Sequence, residues 1–138
     1  MRNIFTIIIA ILTLVSCTKE ETLQDKIIGK WLPEGTYYIT YIDDVLFDQG
    51  ESNDGDFILE FYSDGTGSMQ GYLNEDDWYD TRWSIRNGQL YLTYANDIDI
   101  FDIIFTDSDK MALRTKTEWF DGGHKALDIM TLNFKRSQ

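Results

Sequence analysis

The sequence holds a single cysteine, a single histidine and a single proline. Cys17 alone cannot close an intrachain disulfide, and with only His124 to join it there is no Cys/His zinc cluster. Basic side chains are scarce as well: 12 Lys and Arg stand against 24 Asp and Glu, a formal charge of −12. That balance excludes a binder of nucleic-acid backbone, which needs clustered cations. No Gly-rich loop precedes a helical pattern, so no phosphate cradle is expected. His124 lies in a Gly-rich turn, which leaves a His-dependent triad without a geometry. What the chain does have is 43% hydrophobic and 14% aromatic residues over 138 positions, enough for one domain with a real core.

The N-terminus carries an address. Arg2 is the only charge before Lys19, and Ile4 to Val15 is an apolar run broken only by Thr6 and Thr13. That run is short of the roughly 20 residues that span a bilayer, and it fits a secretory signal peptide. Its end, Leu14-Val15-Ser16-Cys17, resembles the lipobox of bacterial lipoproteins. The resemblance implies cleavage after residue 16 and acylation of Cys17, so that membrane contact is made through N-terminal lipid. Several acyl chains anchor stably where one is marginal. Thr18-Lys19-Glu20-Glu21 is similar to the Lys-acidic-acidic signal that sends some Gram-negative lipoproteins to the cell surface. It implies an outer-membrane lipoprotein displayed outside, the alternative being the periplasmic leaflet. The organisation expected is signal peptide 1–16, lipidated tether 17–26 and folded domain 27–138.

Within the domain, a short helix is expected at 22–28, followed by strands near 31–42, 56–62, 66–73, 79–86, 89–95, 98–106, 110–120 and 125–135. Asn87-Gly88 is the strongest hairpin signal and pairs Ile85 with Leu90 and Trp83 with Leu92. A two-residue turn at Asn96-Asp97 would set Leu90 against Ile103 and Leu92 against Phe101. A loop at 107–109 pairs Phe105 with Met111, and one at 121–124 pairs Leu113 with Leu132. At Asp64-Gly65 a three-residue loop sets Leu59 against Met69. One apolar face thus runs through consecutive hairpins in a single phase. Eight antiparallel strands of this kind close into an all-β, up-and-down barrel, with an open β-sandwich as the alternative.

The inward positions sort by end. Ile85, Leu90, Ile103, Phe105, Met111, Leu113, Leu132 and Phe134 gather at a base. Tyr79, Thr81, Tyr94, Asp99, Thr117, Trp119 and Asp128 gather at a mouth. Gly29-Lys30-Trp31 after a short helix resembles the Gly-x-Trp motif of the lipocalins. The basic ending Lys135-Arg136 matches the side chain that packs over that Trp. The resemblance covers 27–136 and extends to small bacterial lipocalin-like lipoproteins. It implies that Gly29, Trp31 and Arg136 close the barrel base. The stretch from Asp43 to Gly55 reads as a long connection at the mouth, where lipocalins hold a lid. Acidic residues crowd the mouth loops and basic ones the base, which orients the base toward the membrane.

The function expected is binding, without catalysis and without cofactor or metal. A small barrel holds at most one small ligand. The mouth set of Tyr79, Thr81, Tyr94, Asp99, Thr117, Trp119 and Asp128 combines aromatic walls with a few polar groups, the composition of a ligand pocket. Asp99 and Asp128 favour a cationic or hydrogen-bond-donating partner on an apolar or amphipathic ligand. The alternative is a filled barrel acting, as a monomer, on an envelope protein partner or as a protease inhibitor. That reading predicts no continuous cavity and an exposed apolar patch at Val45 to Phe47.

Overall fold

The computed structural model describes residues 23–52, 56–71 and 76–137. Leu23–Ile27 form a helix of little more than one turn, and every other regular element among the described residues is a strand. In chain order these are β1 (Gly29–Ile42), β2 (Val45–Ser52), β3 (Phe57–Phe61), β4 (Thr66–Gly71), β5 (Trp78–Arg86), β6 (Gln89–Tyr94), β7 (Asp97–Asp107), β8 (Lys110–Asp121) and β9 (His124–Arg136). All pairings are antiparallel between sheet neighbours, in the order β2-β1-β3-β4-β5-β6-β7-β8-β9, and β1 returns to pair with β9 from Trp31↔Arg136 to Ile42↔Ala126. That last ladder closes the ring and rules out the open sandwich. β2 and β3 lie end to end on one edge of β1, β3 against Gly29–Trp31 and β2 against Thr36–Ile42. They share one stave, so nine strands make an eight-stranded barrel.

Turn chemistry sets the registers. Asn87 and Gly88 both take positive φ, and Ile85↔Leu90 and Trp83↔Leu92 pair as the turn demands. Gly122 and Gly123 do the same for β8–β9 and bring Leu113 opposite Leu132 and Met111 opposite Phe134. At the β3–β4 corner the Asp64 carboxylate accepts from the Thr66 N–H (3.0 Å) and hydroxyl (2.6 Å). Gly65 sits at φ +87°, so Leu59 meets Met69. The Trp83 indole N–H donates to the carbonyls of Tyr62 (3.0 Å) and Thr66 (2.9 Å) and pins this corner to the core.

Two expectations are corrected. The stretch after Asp43 is not a long loop: Asp43 and Asp44 make a two-residue turn with φ +50° and +65°, and Val45–Ser52 is strand β2. Asp is not glycine, but its short side chain tolerates the left-handed region, and Asp43 is tied down by contacts to Lys125. A bulge at Phe47 and the polar run Asp48–Ser52 hide the alternation that marks other strands. The second correction is the β6–β7 turn, which falls at Ala95-Asn96. Leu90 therefore pairs with Phe101 and Leu92 with Asp99, two residues off the expected register but on the same face. Seating Phe101 deep in the core outweighs the cost of a positive φ at Ala95.

The core fills the base. Ile27, Trp31, Phe61, Leu90, Met111, Leu113 and Phe134 are all but inaccessible, and each contributes about 1.5–3 kcal/mol by leaving water. Gly67 is inward at the tightest point, because an added Cβ would lie 2.4 Å from the Glu60 carbonyl oxygen. Trp31 donates its indole N–H to the Ile27 carbonyl at 2.8 Å, and the Arg136 guanidinium lies 4.3 Å over the Trp31 ring. Arg136 also donates to the carbonyls of Ile28 (2.9 Å), Lys26 (2.7 Å) and Ser108 (3.3 Å). Gly29 admits it: with φ +125°, a Cβ there would sit 2.9 Å from Arg136 Nη1. Gly29, Trp31 and Arg136 thus meet at this end of the barrel.

Candidate functional site

The mouth is built differently. β1, β2, β8 and β9 run past the other strands, and the loops of Asp43-Asp44 and Gly122-Gly123 meet at their tips. Asp43 joins them: its N–H donates to the Lys125 carbonyl (2.8 Å), one carboxylate oxygen accepts from the Lys125 N–H (3.0 Å), and the other lies 2.6 Å from His124 Nδ1. Hydrogen bonding by His124 first, and by the Lys125 N–H second, holds the Asp43 carboxyl below its ordinary value. On the β7 side of β8, the β7–β8 ladder stops at Asp102↔Arg114 and leaves the strands unpaired above it.

Between these walls lies a cavity of about 320 Å³. Its floor is apolar, made by Phe57, Met69, Phe101, Met130 and Leu132. Its rim is polar, made by Tyr94, Asp99, Thr115, Thr117 and Asp128. The alternation of β7, β8 and β9 accounts for the arrangement, since every second residue from Leu113, Phe101 and Leu132 toward the mouth points inward.

The two carboxylates are held by neutral donors. The Tyr94 hydroxyl donates to Asp99 Oδ2 at 2.7 Å, across the β6–β7 ladder in which Leu92 pairs with Asp99. The Thr40 hydroxyl donates to Asp128 Oδ1 at 2.5 Å, from the residue directly opposite it in the β1–β9 ladder. Neither acid has an ion-pair partner among the described residues. A hydroxyl fixes a carboxylate's position without cancelling its charge, so the rim carries two oriented anions above an oily floor. The Tyr94 phenol feels this: the hydrogen bond to Asp99, then burial, then the Asp99 charge push it up to about 12.

Of the seven mouth residues read from the sequence, Tyr94, Asp99, Thr117 and Asp128 line the cavity. Tyr79 stands beside Tyr94, ring centres 6.1 Å apart, without reaching the wall. Trp119 lies higher, in a groove at the hairpin tips with Thr40, Ile42 and Phe47. Thr81 is buried in the β4–β5 contact beside Gly67, and its hydroxyl has no hydrogen-bond partner among the described residues. The floor residues Met69 and Met130 and the Asp128 partner Thr40 are absent from the mouth set read from the sequence. They sit on the inward phase of their strands, and that phase is the signal that finds them. Cys17 and the signal and tether segments before residue 23 lie outside the described residues, as does Asn53-Asp54-Gly55. Among the described residues no group of three or more His, Cys, Asp and Glu side chains is placed to hold a metal ion.

Compared with protein families, curated proteins and solved structures, the chain matches none.

Proposed function

We propose that this chain is a lipid-anchored, lipocalin-like binding protein that takes one small amphipathic ligand into the mouth cavity. The observation that carries the reading is the cavity itself: about 320 Å³ with an apolar floor and two hydroxyl-held carboxylates at the rim. That volume falls at the lower end of the roughly 300–1,000 Å³ of small-molecule pockets. The filled base beneath it supplies a rigid wall, since the aromatic core leaves no room for a ligand to pass deeper. The apolar part of a ligand fits the floor, and a cationic or hydrogen-bond-donating head fits Asp99 and Asp128. The activity proposed is capture without chemical conversion, and no cofactor is assigned to it.

Membrane attachment rests on the sequence: the Ile4–Val15 run and Leu14-Val15-Ser16-Cys17 support acylation of Cys17 in the outer membrane, with display on the cell surface. Cations at the closed end (Lys26, Lys30, Arg136) and acids at the open end (Asp43, Asp44, Asp97, Asp121) support a base turned to the membrane. Two experiments test the whole. Radiolabelled palmitate should enter the wild-type chain and not Cys17→Ala. A thermal-shift screen of amphipathic amines, amides and acids should yield stabilisers whose effect is lost in Asp99→Asn. A screen without a single stabiliser removes the binding reading.

A second reading, an envelope interaction protein, is favoured by one observation. Val45, Leu46 and Phe47 are 67%, 50% and 69% exposed at the hairpin tip. It also predicted a filled barrel, which the cavity argues against. Crosslinking in intact envelopes should then recover one stoichiometric partner through the 45–47 segment.

A further inference from the structure

We infer that an extended segment of a partner protein docks as an added strand in the gap between β7 and β8. The gap is defined by hydrogen bonding. The β7–β8 ladder runs only between Asp102↔Arg114 and Asp107↔Lys110. Mouthward of it, β7 continues through Asp97–Phe101 and β8 through Thr115–Asp121. Among the described residues no strand pairs with either stretch on the side that faces the gap. Both therefore present a row of main-chain N–H and C=O groups without ladder partners, the template on which β-augmentation works. Residues 116–121 are exposed throughout, as are Asp97, Ile98 and Ile100.

Strand alternation says what an incoming segment meets. On the inner side of the gap stand Asp97, Asp99 and Asp121, set among Thr115, Thr117 and Trp119. On the outer side stand Ile98, Ile100 and Phe120, at 63%, 44% and 77% exposure. Lys116 and Glu118 share that outer side, Glu118 in an ion pair with Lys125 of β9 at 3.5 Å. A strand lying here turns alternate side chains toward an inner side that carries three carboxylates and the others toward the outer apolar residues. The segment that fits has basic and apolar residues in strict alternation. Another copy of this chain does not suit the gap, because at −12 it brings acids toward acids. The site shares Asp99, Phe101, Thr115 and Thr117 with the wall of the small-molecule cavity, but its main-chain pairing needs no occupant there and its outer apolar row lies outside the cavity.

The test is a titration of the mature full chain, at near-physiological salt, with four end-capped decapeptides. One alternates Lys and Val. One is its scramble, one alternates Glu and Val, and one is the first with every second amide N-methylated. Saturable binding is expected for the first alone, with slowed amide hydrogen exchange confined to 97–101 and 115–121. The exposed double substitution Ile98→Lys with Ile100→Lys, which replaces no core residue, should weaken that binding about tenfold. Equal binding of the scramble reduces the effect to net charge and overturns the inference. So does protection that falls on another edge, binding that survives N-methylation, or self-association through these strands without peptide.

Discussion

Replacing Arg136 tests whether the barrel base is held shut by one side chain. The guanidinium lies 4.3 Å over the Trp31 ring and donates to three main-chain carbonyls, those of Lys26, Ile28 and Ser108. It therefore ties together the helix end, the start of β1, the β7–β8 turn and the last strand. A cation over an indole contributes about 1–2 kcal/mol when partly desolvated. The charged hydrogen bonds contribute about 1.5–3 kcal/mol more, discounted here because the side chain is 28% exposed. Arg136→Met keeps the apolar stem and removes both, so a loss of about 2–4 kcal/mol is expected, with a fall in Tm of about 10 °C for a domain of this size. Arg136→Lys keeps the charge but reaches one carbonyl at a time, and should lose roughly half as much. Urea unfolding followed by Trp fluorescence measures both. A Met variant within about 0.5 kcal/mol of wild type refutes the claim that this side chain closes the base.

Three further outcomes follow from the mouth. Thr81→Val removes a buried hydroxyl that has no partner among the described residues and should stabilise the fold by about 1 kcal/mol in chemical denaturation, leaving ligand binding unchanged; a loss of binding would return Thr81 to the site. The Tyr94 phenol, held neutral by Asp99, should ionise near pH 12 by its phenolate absorbance, and Asp99→Asn should bring it down toward 10. Because that pKa is raised on folding, its contribution to stability is complete below pH 10 and is lost as pH rises through about 12. The Asp43 carboxyl runs the opposite way: depressed by His124 and the Lys125 N–H, it supports the tip above its unfolded value of 3.8 and ceases to do so as pH falls through its folded value. Carboxyl-carbon NMR should place Asp43 below 3.8 in the wild type and closer to it in His124→Ala.

Much of this molecule is written in short-range terms. Asn87-Gly88, Gly122-Gly123 and Asp64-Gly65 each dictate a loop length, and a loop length dictates which side chains face inward. Gly29, Trp31 and Arg136 lie far apart in sequence, yet strand parity alone brings them to one end. β2 was illegible because its evidence is tertiary: Asp48, Gln49, Gly50 and Glu51 have poor strand propensity, and pairing with Thr36–Thr40 makes the strand. The β6–β7 register was misplaced because Asn96 suits either turn position and only the burial of Phe101 decides. Within the site, Tyr94, Asp99, Thr117 and Asp128 were readable from phase and chemistry. The apolar floor was not, since Met69, Met130 and Leu132 look like any core residues until the gap above them is seen. Thr81 went wrong for the converse reason: polar and in phase, it is swallowed by the close β4–β5 contact at Gly67.

Methionine-methyl NMR interrogates the cavity directly. Met69 and Met130 line its floor, while Met111 is 2% exposed in the packed base and serves as an internal control. During titration with a compound that raises Tm, the Met69 and Met130 methyls should shift together and saturably while Met111 stays in place. Shifts at Met111 of equal size, or a stabilising compound that leaves Met69 and Met130 unmoved, would contradict a ligand seated at the barrel mouth.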